Sequence, residues 1–209
     1  MVADSKARKI LKSFPKDVRD YFKKIDKNCQ KHGILLKIHG GKALNSGGRC
    51  GGYFSSEEKV LAVAIGIKNI GKILALITHE YQHILQWANP RSIWHEKGVQ
   101  SGHARFAYYL SGKRIYNAEK CAIQTMSLEM DCERRTIRAL KKWQKYVNIN
   151  TAKKRASAYV LSHWWMLEHK RWPVNTPYDS KILKHCPNRL LGDCRKIPQK
   201  LKAAFDRYL

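Results

Sequence analysis

The sequence predicts an α+β fold: a small antiparallel or mixed sheet followed by long helices. Two short, strongly β-forming runs, 33–39 (GILLKIH) and 59–67 (KVLAVAIGI), stand in the first third of the chain between Gly, Asn and Ser clusters. From Gly71 onward apolar residues recur at threes and fours, which predicts helices over 71–88, 117–146 and 151–170. At 209 residues the chain suits one domain, or one domain with an added helical lobe. The expected segments are an N-terminal amphipathic stretch (1–32), a core (33–146) with the sheet packed on the helices 71–88 and 117–146, and a basic helical C-terminal lobe (147–209).

Composition narrows the class. No apolar run approaches the roughly 20 residues that span a bilayer, and the N-terminus lacks a signal-peptide core, so a soluble cytoplasmic protein without membrane partners is expected. Six dispersed cysteines are then reduced thiols rather than a disulfide scaffold. Cys186 and Cys194, with His185 adjacent, are a candidate second metal site, although a Cys-x7-Cys spacing is not a usual zinc pair. With 41 basic and 16 acidic residues the net charge is +25, and from Arg134 onward 19 Lys and Arg face four acidic residues. Such a surplus attracts nucleic acid or acidic proteins and does not by itself choose between them.

Taken in order, residues 5–31 place Ile10, Phe14, Val18, Tyr21, Phe22 and Ile25 at helical spacing, with Pro15 as a break and ten basic residues as the solvent face. The 33–39 strand ends in Gly40-Gly41. A Gly-, Asn- and Ser-rich connection over 44–52 follows, without a phosphate-binding fingerprint. Tyr53-Phe54, the turn 55–58 and the run 59–67 read as a hairpin. Gly71 opens the next helix and Asn89-Pro90 closes it.

That helix carries His79-Glu80-Tyr81-Gln82-His83. Histidines four apart project one above the other, so both imidazoles can hold one zinc ion while the intervening glutamate reaches a water on the metal. Leu74, Ile77, Tyr81, Leu85 and Ala88 share one face, and the histidines lie opposite with Leu76 beside them, so the helix is apolar on both sides of its histidines. The competing reading is a hydrogen-bonded pair of core histidines with Glu80 exposed. Residues 90–116, without a clean period, read as a loop with a short helix, where His95 and His103 are alternative third ligands. In the helix expected over 117–146, Ala122, Met126, Glu129, Met130, Glu133, Ile137 and Leu140 fall on one stripe. Two carboxylates in an apolar stripe need a cation, because burying them unpaired costs several kcal/mol each.

Together His79-Glu80-x-x-His83 and Glu129-x-x-x-Glu133 resemble the gluzincin branch of the zincins, the HExxH zinc metallopeptidases. The likeness covers roughly residues 33–140. Metzincins are excluded, because His83 is not followed by their Gly-x-x-His extension. The overall plan is similar to ImmA/IrrE-like and SprT-like minimal peptidases of phages and bacteria, which would place the chain in a host cytoplasm or a virion. The resemblance implies a zincin-like fold, one zinc per chain on His79, His83 and Glu129, Glu133 orienting the ligands, and Glu80 as general base. It also implies a substrate-pairing edge strand, here Leu61, Val63 and Ile65, and an oxyanion-stabilising histidine or tyrosine, here His163 or Tyr159. The expected activity is endopeptidase cleavage of an acidic or nucleic-acid-associated protein. The alternative is a non-catalytic, zinc-stabilised protein that binds nucleic acid or a virion component. Oligomeric state stays open.

Overall fold

Residues 1–45, 49–190 and 194–209 are described by the structure, a computed structural model. The class is α+β, with a mixed four-stranded sheet and eight α-helices among the described residues. None of those helices is long and apolar enough to cross a membrane. The chain divides into two units, residues 1–89 with 138–148, and residues 90–137 with 149–209.

In the first unit Pro15 splits the N-terminal amphipathic stretch into α1 (Ser5–Ser13) and α2 (Lys16–Lys31). Asp4 caps α1 by accepting from the Ala7 N–H at 2.7 Å, and its other oxygen accepts from the Gly40 N–H at 2.9 Å. The Ala7 N–H, before the other groups around it, holds the Asp4 carboxyl below the usual carboxylate range. Strands β1 (Val2–Ala3), β2 (Leu35–His39), β5 (Gly52–Ser55) and β6 (Val60–Ala64) make the sheet, in the order β1-β2-β6-β5. A small antiparallel pair, β3 (Leu44–Asn45) with β4 (Arg49–Cys50), stands apart from it. The expected connection over 44–52 therefore contains a short ladder, and its residues 46–48 lie outside the described ones. Helix α3 (Ile70–Ala88) follows β6.

The hairpin over 52–64 forms as read, with Tyr53 opposite Ala62 and Phe54 opposite Leu61. The substrate-pairing assignment to Leu61 and Val63 is corrected. β6 is also paired in parallel with β2, Leu36 opposite Leu61 and Ile38 opposite Val63, so both of its backbone edges are used. Ile65 lies beyond the strand, fully buried, with its N–H on the His39 carbonyl at 2.8 Å. The unbroken apolar run VLAVA already carried that signal, since a strand covered on both faces has no polar alternation. Leu36, Ile38, Leu61 and Val63 are fully buried, while Val60, Ala62 and Ala64 form a second cluster with Leu44 on the other face.

The second unit is helical: a 3-10 turn (Ile93–His95), α4 (Val99–Leu110), the part of α5 (Ala118–Leu140) up to Ile137, α6 (Ile149–His169), the single turn α7 (Ser180–Leu183) and α8 (Gln199–Tyr208). Phe106, Met126, Met130, Leu161, Trp165 and Phe205 lie in one core cluster. Burying each such side chain contributes about 1.5–3 kcal/mol. Residues 90–116 hold a 12-residue helix where a loop with a short helix was expected. Val99, Gly102, Phe106 and Leu110 are its buried positions, and Gly102 blanks the apolar period because Gln124 occupies the space its Cβ would need. The units do not follow the expected boundaries at 32 and 146. Val18, Phe22 and Ile25 of α2 are buried within the sheet-bearing unit, and the apolar face of α5 shares the core of α4 and α6.

Candidate metal centre

Helix α3 is built to be buried on several sides and held at a fixed rotation. Asn69 caps it, accepting from the Lys72 N–H at 2.9 Å, and Asn89 ends it before Pro90. Helix α2 grips it on both sides of the motif's first residue. The Tyr21 hydroxyl lies 3.0 Å from Thr78 Oγ1, and Asn28 Nδ2 donates to the Tyr81 hydroxyl at 2.8 Å. Burial pushes both phenols above their ordinary range, so they stay neutral partners here.

Within that frame His79 and His83 converge. Their Nε2 atoms are 3.2 Å apart and the rings meet edge to face. Two nitrogens at about 2.0–2.1 Å from one tetrahedral zinc would be separated by about this distance, so the pair fits the metal. The same separation suits an N–H···N hydrogen bond between neutral rings, so the geometry serves a cation or a proton.

One residue outside the sequence expectations completes the pair. Gln86, fully buried one turn after His83, has its Oε1 2.8 Å from His83 Nδ1. An amide oxygen only accepts, so His83 carries its proton on Nδ1 and turns the Nε2 lone pair toward His79. Ligating histidines are commonly fixed this way through their second nitrogen. Spacing offered a hint, since Gln86 sits at i+3 from His83, but the contact depends on rotamers the pattern does not carry.

Glu80 is 7% exposed, which removes the reading in which it is a solvated surface residue. Gly52 of β5 passes directly beside it, and a Cβ on Gly52 would come within 3.1 Å of Glu80 Cγ and 3.0 Å of the Ala62 carbonyl. Gly51 lies against Leu76, and the Phe54 ring meets Trp87 at 6.0 Å, so β5 runs alongside α3 past the motif. β5 is also the terminal strand of the sheet.

The other candidates belong to the second unit. Glu129 (4% exposed) and Glu133 (9%) are buried on α5 in the company the stripe predicts: Ala122, Met126, Met130, Ile137 and Leu140 are all buried. Asp131 points elsewhere and pairs with Arg135 at 2.7 Å. His95 ends the 3-10 turn, and His103 is on the exposed face of α4. Tyr159 lies edge-on to His163, ring centroids 5.3 Å apart.

His163 does not suit the oxyanion role. Its Nδ1 is 3.0 Å from the Val160 carbonyl and 3.2 Å from the Tyr159 carbonyl, which places the proton there and leaves Nε2 without a hydrogen to donate. Burial lowers the pKa of its imidazolium, partly opposed by the Glu129 carboxylate, so the doubly protonated donor form is disfavoured. The second metal site at Cys186 and Cys194 is corrected as well. Both thiols are buried in the apolar cluster, and among the described residues neither belongs to a group of three His, Cys, Asp or Glu ligand atoms close enough to hold one ion. None of the six cysteines is in a disulfide.

No protein-family model, no curated protein and no solved structure matches this chain.

Proposed function

We propose that the chain is a zinc-dependent endopeptidase of zincin type, built on α3. The observation that carries the reading is the convergence of two imidazole Nε2 atoms at 3.2 Å on a helix whose intervening glutamate is buried beside an edge strand. His79 and His83 would hold the metal, and the resemblance alone assigns the third ligand to Glu129 and the orienting acid to Glu133. Zinc, when bound, would lower the pKa of a coordinated water toward about 7 and polarise a carbonyl.

The protein's own groups would do the rest. Glu80, as carboxylate, takes the proton of the attacking water and delivers it to the leaving amine. Gln86 holds His83 in the tautomer that presents Nε2. β5 replaces β6 as the substrate-pairing element, because an extended peptide adds most readily to a terminal strand and Gly52 brings that strand against Glu80. The +25 charge favours an acidic protein, or one seated on nucleic acid, as substrate.

The test is cleavage of an unstructured acidic protein by the zinc-loaded chain, followed by gel and mass spectrometry. Cleavage should stop with a chelator and return with added zinc. Persistent cleavage in chelator would remove the zinc mechanism, and none in zinc would remove the peptidase and leave the zinc-stabilised binding protein. Three substitutions read the ligand shell. Glu129→Ala should deplete zinc, whereas depletion by Glu133→Ala alone would reverse those two roles. Gln86→Ala should weaken zinc about 10–100-fold in competition with a chromogenic chelator. Unchanged affinity would deny Gln86 a role in orienting His83.

A further inference from the structure

The second unit displays an aromatic and basic corner that the peptidase reading does not use. Tyr116 is 83% exposed and Tyr108 62%, the two most exposed aromatic side chains among the described residues. Large aromatic side chains left in water often mark a contact site.

Local hydrogen bonds shape the corner. Helix α4 ends in a tight turn: the Ser111 N–H bonds the Ala107 carbonyl, the Gly112 N–H the Tyr109 carbonyl and the Lys113 N–H the Tyr108 carbonyl. Gly112 sits at φ +87°, in the left-handed region that lets the chain reverse there. Asn117 then caps α5 by accepting from the Lys120 N–H at 3.1 Å. Arg105, one turn before Tyr108 on the same helix face, donates from Nη2 to the Tyr116 carbonyl at 2.8 Å. That bond ties the Tyr116 backbone to the helix that carries Tyr108.

The charge at the corner has one sign. Arg105, Lys113, Arg114 and Lys120 are all exposed, and Glu119 is the one acidic residue over 105–120. Cations beside displayed flat rings match the two features of a single strand of nucleic acid, a phosphate chain and unstacked bases. A duplex offers the phosphates but keeps its bases stacked, and an acidic polypeptide offers charge without flat rings to stack.

We propose that Tyr108 and Tyr116, with Arg105, Lys113 and Arg114, form a docking site for single-stranded nucleic acid. The bases stack on the two phenol rings and the three cations follow the backbone. The site is independent of the metal centre, so its failure and that of the peptidase reading are separate results.

Fluorescence anisotropy with a labelled 20-nucleotide oligothymidylate, and with a duplex of equal length, tests it. The single strand should bind more tightly than the duplex, and less tightly as salt rises. Tyr108→Ala/Tyr116→Ala should lower that affinity by about tenfold or more while Tyr108→Phe/Tyr116→Phe retains it, since stacking needs the ring and not the hydroxyl. Arg105→Gln/Lys113→Gln/Arg114→Gln should reduce the slope of log affinity against log salt by about two. Far-UV circular dichroism of each variant should equal that of the parent, because all the altered side chains are exposed. Duplex bound as tightly as single strand, an alanine pair that binds like wild type, or displacement of the oligonucleotide by polyglutamate of equal charge would overturn the assignment.

Discussion

Glu80→Gln is expected to leave zinc bound and to slow peptide cleavage by about 10²–10⁴-fold. The substitution exchanges a carboxylate oxygen for an amide nitrogen and keeps the shape of a side chain that has little room, buried with Gly52 packed against its Cγ. His79, His83 and the Gln86 contact are untouched, so metal affinity should hold. An amide has no basic oxygen able to carry a proton from water to a leaving amine. Initial rates on an unstructured protein, measured beside metal content, check both halves. A variant within a few fold of wild type would show that Glu80 is not the base. One that lost its zinc would show that Glu80 acts through the metal's surroundings.

The second large effect is on the frame that holds the site. Gly71→Ala should destabilise the chain by about 1–3 kcal/mol, as overpacking does. Gly71 is buried in the first turn of α3, and a Cβ there would fall onto the backbone carbonyl oxygen of Tyr146, with the capping Asn69 Oδ1 3.2 Å away. The Tyr146 segment is pinned. Its hydroxyl donates to Asp17 at 3.1 Å, its N–H bonds the Trp143 carbonyl at 2.8 Å, and the Trp143 ring packs 5.1 Å from Tyr21. Since Tyr21 in turn holds Thr78, a displaced helix start disturbs the residue just before His79. Helix propensity alone favours alanine over glycine by about 1 kcal/mol, so a net loss isolates the clash. For a chain of this size 2 kcal/mol lowers the thermal midpoint by about 4–8 °C. A midpoint equal to or above that of the parent in calorimetry would mean the Tyr146 segment yields without cost.

Much of the fold was legible because strong periodicity and burial agree. The spacing along α5 puts Ala122, Met126, Glu129, Met130, Glu133, Ile137 and Leu140 on one stripe, and all seven are buried. The ends of α3, its burial around the histidines and the 52–64 hairpin were legible for the same reason. Errors arose where a local pattern has two tertiary solutions. The run VLAVA suits any buried strand, and only the parallel pairing with a strand more than twenty residues earlier makes β6 interior. Helix α4 escaped because its seam position is Gly102, small for Gln124 and silent in a hydropathy pattern. The helical spacing of His163 does not reveal that its Nδ1 is committed to its own helix carbonyls. Gln86 was invisible because what matters is the direction of one amide oxygen.

The central claim is that α3 presents a zinc site, and elemental analysis of the purified chain after equilibration with zinc tests it most directly. The account predicts about one zinc per wild-type chain, and loss of that zinc in His79→Ala/His83→Ala. A wild-type chain that stays zinc-free, or a double variant that keeps as much zinc as wild type, would contradict it.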